Sequence, residues 1–202
     1  MINKYIKIAA VFILALVLAA PVSALDLGDK APKTDVEMKN ANGDKVSIAD
    51  IQGDNGTLVI FTCNSCPWAK AWEDRIVEIG NEFQQKGVGV IAINSNDPSV
   101  NSEDSFDVMK QRVSSKGYNF PYVVDPGSQL ARAFNASKTP EAFLFDESGQ
   151  LVYHGTVDDD AYNPNQVEER YLREALQAVS NDNKVAKQKT KAIGCSIKFQ
   201  DA

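Results

Sequence analysis

Two closely spaced cysteines, Cys63 and Cys66, are the residues of this sequence best suited to chemistry. They lie in the stretch FTCNSCPW (61–68), with Pro67 directly after the second cysteine. Such a pair can alternate between dithiol and disulfide, supply half of a zinc site, or form a small structural disulfide. The surrounding sequence has to separate these three interpretations.

The pair lies between a predicted strand and a predicted helix. TLVIFT (57–62) is an apolar run typical of a strand buried on both faces. After Pro67 the apolar residues recur at helical spacing up to about Lys86: Trp68, Trp72, Ile76, Ile79 and Phe83. A helix N-terminus offers free N–H groups and lowers the pKa of a thiol placed there. We therefore expect Cys63, as the more exposed cysteine, to attack and Cys66 to resolve the mixed disulfide.

The other two interpretations of the pair fit less well. A zinc site needs four ligands, and without a second C-x-x-C only His154 and Cys195 could complete the set. A structural disulfide across two residues would close a very small loop and remove little chain entropy. We predict a redox pair that needs neither a metal nor a cofactor.

Thr139-Pro140 is a second feature of interest, because it directly precedes the predicted strand EAFLFD. Proline cannot sit inside a central strand, so Pro140 indicates where the strand starts. Residue statistics alone favour an ordinary trans bond before Pro140, since cis bonds are a small minority.

Several other residues could act at a site, and each also has a structural interpretation. Cys195, in IGCSIKF near the end of a polar tail, either exchanges with the Cys63–Cys66 pair or is a half-buried packing thiol. Trp68 either forms an apolar lip for a partner or belongs to the core edge. We interpret Trp72 as core, His154 as a packing or surface residue, and 158–160, DDD, as a solvated acidic loop.

The periodicities predict one α/β domain with a mixed sheet and helices on both faces. A hairpin around Asn42-Gly43 comes first. The further strands are predicted at 57–62, 88–94, 121–125, 141–146 and 151–157, and the helices at 67–86, 104–116, 127–135 and 166–180. The last two strands form a second hairpin.

The N-terminus has the pattern of a secretory signal peptide: two lysines, an apolar run, and small residues before a cut after Ala24. An uncleaved anchor is the alternative. We predict a signal at 1–24, a domain at 25–180 and a tail at 181–202, in the periplasm or secreted. Loss of Lys4 and Lys7 would take the net charge from −6 to −8. This acidity speaks against nucleic acid and anionic lipid as partners.

These motifs together resemble thioredoxin-fold proteins, and more narrowly the peroxiredoxin-like members of the alkyl hydroperoxide reductase/thiol-specific antioxidant (redoxin) group. The resembling segments are LGDKAP (27–32), FTCNSCPWAKAWEDRI (61–76), VIAINSND (90–97), KGYNFPYVVD (116–125), TPEAFLFDESGQLVYHG (139–155), DD (158–159) and IGCSIK (193–198). The resemblance implies a thioredoxin-like fold with an N-terminal β-hairpin extension. It also implies a cis bond before Pro140, packed beside the cysteine pair, and thiol chemistry at Cys63.

The sequence departs from that group at two places. Peroxide-reducing members carry Pro-x-x-x-Thr/Ser-x-x-Cys, whereas counting back from Cys63 gives Ile60 and Gly56, and counting back from Cys66 gives Cys63 and Val59. Thioredoxins have Trp before the first cysteine, where this sequence has Thr62.

We therefore predict an exported thiol–disulfide oxidoreductase that uses Cys63 and Cys66, with Thr139, Pro140 and Trp68 on its substrate face. A thiol peroxidase using Cys63, with Cys66 or Cys195 resolving, is the first alternative. A metal-binding or structural cysteine protein is the second. The expected partners are protein thiols or disulfides, or a small peroxide, together with a redox partner the sequence does not identify. We expect no membrane span after signal cleavage.

Overall fold

The structure, a computed structural model, describes residues 25–200. The predicted signal peptide therefore lies outside the described residues. The strands are β1 (Met38–Asn40), β2 (Lys45–Val46), β3 (Thr57–Thr62), β4 (Gly89–Asn94), β5 (Tyr122–Val124), β6 (Lys138–Thr139), β7 (Glu141–Phe145), β8 (Leu151–Gly155) and β9 (Cys195–Ser196). The α-helices are α1 (Pro67–Gln84), α2 (Phe106–Lys116), α3 (Gln129–Phe134) and α4 (Tyr171–Val179).

Seven strands form one mixed sheet in the order β2-β1-β5-β4-β3-β7-β8. Strands β3, β4 and β5 pair in parallel, and every other neighbouring pair is antiparallel. The predicted mixed α/β class and the N-terminal hairpin are confirmed. Parallel pairing is confined to the middle of the sheet, because β1 pairs with the edge of β5 in the antiparallel sense. The local sequence does not encode this long-range pairing.

The sheet separates two apolar layers, and alternate residues of β3 point into each. Leu58 and Ile60 pack with α1, α2 and α4, whereas Val59 and Phe61 pack with α3. Helix α1 contributes the predicted stripe to the first layer: Trp72, Ile76, Ile79 and Phe83 are all buried. Strand β3 is thus held on both faces, which fixes where its carboxyl end delivers the cysteine pair.

All four helices are shorter than the predicted ones, and the late starts of α3 and α4 have visible causes. Helix α3 starts only at Gln129, because Gly127 and Ser128 adopt left-handed backbone angles, with φ of 63° and 52°. Helix α4 starts at Tyr171 rather than at 166. The chain before it is tied to the acidic loop, since the Glu168 N–H donates to the Asp159 carboxylate at 3.2 Å and the Asp159 N–H donates to the Glu169 carbonyl at 3.3 Å.

The tail returns to the domain and forms a second small sheet, in which β9 pairs antiparallel with β6. The sequence did not predict these strands, since each has only two residues. Within residues 25–200 no helix is long and apolar enough to cross a membrane.

Candidate active site

The cysteine pair lies at the junction of β3 and α1. Cys66 is the N-cap of α1, with extended backbone angles, and Pro67 opens the helix where an N–H is not needed. Cys63 lies in the turn between the strand and the helix. Both cysteines are buried, and Cys63, 5% exposed against 2% for Cys66, is the more exposed of the two by a small margin.

Thr139 contacts both sulfurs. Cys63 Sγ lies 3.2 Å from Thr139 Oγ1, and Cys66 Sγ lies 3.1 Å from the Thr139 carbonyl oxygen, which accepts an S–H hydrogen bond when Cys66 is protonated. The Thr139-Pro140 bond is cis, as the family resemblance implies. Thr139 is buried with the pair, so the predicted substrate-face residue is part of the thiol environment itself.

The pKa values of the two thiols shift in opposite directions. The pKa of Cys66 is lowered to about 4, first because Cys63 donates a hydrogen bond to it and then because the Cys195 side chain and the Ala69 and Cys195 N–H groups do. The pKa of Cys63 is raised by that same bond, by burial and by the nearby Asp104 carboxylate. These two directions place the lower pKa on Cys66, at the helix N-terminus, and the attacking role of Cys63 stays a prediction.

Cys195 lies directly against the pair. Cys195 is the register partner of Thr139 in the small sheet, and the Cys195 N–H donates to Cys66 Sγ at 3.4 Å. The close approach requires Gly194, since a Cβ there would lie 2.1 Å from the Thr139 carbonyl oxygen. The structure thus places all three cysteines together as free thiols.

The buried Asp104 fastens the turn that carries the pair, and sequence reasoning missed it. Its Oδ1 accepts the N–H of Asn64 at 2.8 Å and the N–H of Ser65 at 2.9 Å. Its Oδ2 accepts the Ser65 hydroxyl at 2.7 Å and the Asn96 amide at 2.8 Å. In the sequence Asp104 only closes a polar loop before a predicted helix, and nothing there indicates a partner forty residues upstream.

Trp68 and Trp72 occupy different environments on α1. Trp72 is core, as predicted, and its Nε1–H donates to Asp158 at 2.7 Å. Trp68 is partly exposed, packs against the cysteines, and lies 5.0 Å from Tyr162 between ring centroids. A partly exposed indole beside the sulfurs is compatible with the predicted apolar lip.

The predicted solvated acidic loop is wrong for Asp158, whereas Asp159 is exposed and Asp160 partly exposed. Asp158 is only 4% exposed and pairs with Arg75, whose guanidinium also donates to the Asp160 carbonyl at 2.7 Å. The donors of Arg75 and Trp72 lie on α1, far away in sequence, and they compensate for the burial of the carboxylate.

His154 is a packing residue, which agrees with our interpretation. Its ring stacks on Phe143 at 4.2 Å, and its Nε2 lies 2.7 Å from Glu141 Oε1. The other Glu141 oxygen accepts the N–H groups of Ser137 and Lys138, so this buried carboxylate braces the segment that leads to Thr139. In the part of the chain that the structure describes, no three His, Cys, Asp or Glu side chains are grouped to hold a metal ion.

The sheet order, the cysteine pair at the start of α1 and the cis-proline beside it define a protein of the thioredoxin-like class. The family model described as AhpC/TSA family matches residues 27–154, and the chain belongs to that family. The family predicted from the motifs is thereby confirmed.

Individual proteins resemble the chain to different extents. An uncharacterized conserved protein from Geobacillus kaustophilus is 35% identical, with a TM-score of 0.81, covering 88% of this chain and 94% of that one. A hypothetical protein from Sinorhizobium meliloti 1021 is 31% identical, also with a TM-score of 0.81, covering 89% and 98%. The thiol-disulfide oxidoreductase ResA of Halalkalibacterium halodurans is 24% identical over 57% of this chain, and the match spans 61% of the length of that relative.

Proposed function

We propose that this protein is an exported thiol–disulfide oxidoreductase in which Cys63 and Cys66 alternate between dithiol and disulfide. The observation that carries the proposal is the packing of Cys63 against Cys66 at the start of α1, with Thr139 in contact with both sulfurs. Two thiols in such contact can close a disulfide with little rearrangement, and a stabilised thiolate is the species that starts exchange. The similarity to ResA supports the same class of reaction.

The surroundings of each sulfur favour Cys63 as the attacking residue. Cys66 is covered by Thr139 and by the tail at Cys195, whereas the contacts of Cys63 are Thr139 and Cys66. When the proton of Cys63 passes to Cys66 along their shared hydrogen bond, the charge moves to Cys63. The Thr139 hydroxyl then donates to the Cys63 thiolate, and the Thr139 carbonyl accepts from the Cys66 thiol.

The exchange balances in two steps. The Cys63 thiolate attacks one sulfur of a substrate disulfide, forms a mixed disulfide and releases the other sulfur as a thiolate. Cys66, after loss of its proton, attacks Cys63 and releases the second substrate sulfur. The substrate gains two electrons and the protein becomes the Cys63–Cys66 disulfide. Run in reverse, the same steps oxidise a dithiol.

The partners that we propose are protein thiols or disulfides and a separate redox partner. Export to the periplasm or medium, with a domain at 25–180 and a tail from 181, is supported by the signal-like composition of residues 1–24. Trp68 is partly exposed and packs against the cysteines, and we propose that it contacts the polypeptide chain of the substrate. Pro140, the other residue predicted on the substrate face, is buried.

Mixed-disulfide trapping tests the proposal and the roles of the two cysteines. Because Cys66→Ser removes the resolving thiol, this variant should accumulate a stable mixed disulfide with disulfide-bonded insulin, attached at Cys63. The matched Cys63→Ser variant should trap at least about tenfold less. Absence of both insulin reduction and adducts in the unmutated protein would refute the function, and trapping only in Cys63→Ser would reverse the roles.

Peroxide reduction is the second candidate, and one contact favours it. Peroxide-reducing members of the family carry a threonine three residues before the reactive cysteine, and this sequence lacks it. The Thr139 hydroxyl lies 3.2 Å from Cys63 Sγ and could take the place of that threonine hydroxyl. A Cys63 thiolate would attack hydrogen peroxide and release hydroxide, and Cys66 would convert the resulting sulfenic acid to a disulfide with loss of a second hydroxide. Stopped-flow oxidation decides, since a rate no faster than that of free cysteine excludes this activity.

A further inference from the structure

The three sulfurs stand in a fixed order, with Cys66 in the middle. The Cys195 N–H donates to Cys66 Sγ at 3.4 Å, and Cys63, Cys66 and Cys195 pack in one cluster. The hydrogen bond of Cys63 is to Thr139 Oγ1 at 3.2 Å, and within residues 25–200 no hydrogen bond joins Cys63 to Cys195. Thiol–disulfide exchange proceeds by in-line attack, with the attacked sulfur between the incoming and leaving sulfurs. The observed order is the one that such an attack on Cys66 requires.

The tail holds Cys195 at this position from both sides. After it, the Ile197 N–H donates to the Ser137 carbonyl at 3.0 Å, and Ile197 is 5% exposed. The Lys198 N–H donates to Asn96 Oδ1 at 2.9 Å, and its carbonyl accepts the Asp97 N–H at 2.7 Å. Before it, Gly194 lies so close to the Thr139 carbonyl that no Cβ fits. Ile197 docks the tail in the apolar layer, and Cys195 packs against the cysteine pair.

We propose that Cys195 is the third thiol of the site and that the disulfide moves from Cys63–Cys66 to Cys66–Cys195. This step rests on the proposed function, since it starts from the oxidised pair. The Cys195 thiolate attacks Cys66 Sγ, the Cys66–Cys195 bond forms, and the Cys66–Cys63 bond breaks. The electron pair leaves on Cys63 and the proton of Cys195 goes to solvent. The number of disulfides is unchanged, so no further oxidant is required.

The electrostatics around Cys195 restrict this step to the oxidised pair. Burial, the Cys66 hydrogen bond and the Cys66 charge raise the pKa of Cys195 to about 11, so it stays protonated beside the reduced pair. Oxidation of Cys66 removes its charge, while Lys198 and Lys138 continue to lower the pKa of Cys195. The third thiol therefore becomes more acidic when a disulfide is present for it to attack.

Moving the disulfide to Cys66–Cys195 separates the reaction with the substrate from the reaction with the electron donor. Cys195 is partly exposed, whereas both members of the first pair are buried. A dithiol donor can reach Cys195 and form a mixed disulfide there, releasing Cys66 as a thiolate. Cys66 leaves at the N-terminus of α1, where the helix stabilises a thiolate. Substrate is then handled at Cys63 and electrons enter at Cys195.

Peptide mapping of the full chain distinguishes the two disulfides directly. Trypsin leaves Cys63 and Cys66 on one peptide, between Lys45 and Lys70, and Cys195 on another, between Lys191 and Lys198. A Cys63–Cys66 bond stays within one peptide, whereas a bond to Cys195 cross-links the two. Each protein is equilibrated in a glutathione redox buffer, quenched with acid and alkylated before digestion, so that the alkylated cysteine identifies the free thiol.

We expect cross-linked peptide in the oxidised unmutated protein, with Cys63 as its alkylated cysteine. Cys63→Ser should form the cross-link at least about tenfold faster than the matched Cys66→Ser variant. An oxidised unmutated protein alkylated only at Cys195, together with no cross-link in Cys63→Ser, would overturn the proposal while leaving the proposed function intact. Equal cross-linking in the two variants would overturn the central position of Cys66. No disulfide of either kind would refute the proposed function as well.

Discussion

Asp104 shows how much of the site depends on a residue that does no thiol chemistry. Its carboxylate is 3% exposed and receives four hydrogen bonds, three of them from Asn64 and Ser65 between the two cysteines. These bonds compensate for its burial and fix the turn that sets the distance between Cys63 and Cys66. Its negative charge also raises the pKa of Cys63 and so helps to keep the charge on Cys66.

Replacing this carboxylate should therefore affect both stability and chemistry. Asp104→Asn places an amide group among N–H and O–H donors, and we expect a loss of about 2–4 kcal/mol in the free energy of unfolding, measured by urea denaturation. Insulin reduction should fall, since the turn is no longer held.

Asp107→Asn is the matched control for this change. Asp107 lies one turn further along, and its side chain is 81% exposed and pairs only with Lys110 at 2.6 Å. The urea midpoint and the insulin activity of this variant should equal those of the unmutated protein. Equal stability of the two variants would show that Asp104 does not hold the turn.

At the scale of elements, the site is assembled from three separate parts of the chain. The end of β3 and the start of α1 supply the pair, β6 supplies Thr139, and β9 supplies Cys195. Strand β9 has only two residues, so its own ladder contributes little. What holds it is the burial of Ile197 in the layer beneath the sheet, together with the hydrogen bonds of the neighbouring tail residues.

Truncating this anchor should release the tail while the domain stays folded. Ile197→Ala removes a buried aliphatic side chain, a change that costs about 2–5 kcal/mol. A loss of about 2 kcal/mol in tail docking would raise the undocked population about thirtyfold. We expect alkylation of Cys195 in the reduced protein to accelerate by a similar factor, measured by mass spectrometry of timed samples.

Ile193→Ala is the same substitution on the other side of Cys195. Ile193 is 36% exposed, so its truncation should leave the alkylation rate of Cys195 nearly unchanged. If both variants accelerate alkylation equally, the tail is held by its backbone hydrogen bonds and not by Ile197.

At the scale of the whole molecule, the sequence predicted what is encoded locally. The apolar run of β3 and the helical stripe of α1 predicted the elements that carry the pair, and the motifs predicted the family and the cis bond at Pro140. The contacts of Asp104 and the burial of Asp158 depend on partners far along the chain, and no periodicity marks them. The pairing of Cys195 with Thr139 was also beyond reach, because two-residue strands have no pattern.

The net charge leads to a prediction for the molecule as a whole. The chain has 27 acidic and 21 basic residues, and a net charge of −6 attracts cations and repels anions at low ionic strength. The dication cystamine should therefore oxidise the reduced protein more slowly as salt is added, by up to about tenfold. The dianion dithiodiglycolate should react faster as salt is added, and the rate with neutral hydroxyethyl disulfide should depend little on salt.

Stopped-flow tryptophan fluorescence gives the three rates. Each rate is divided by the rate of the same disulfide with free cysteine, so that the ratio isolates the contribution of the protein. Opposite slopes would mean that the lysines at the site, Lys138 and Lys198, outweigh the charge of the whole surface.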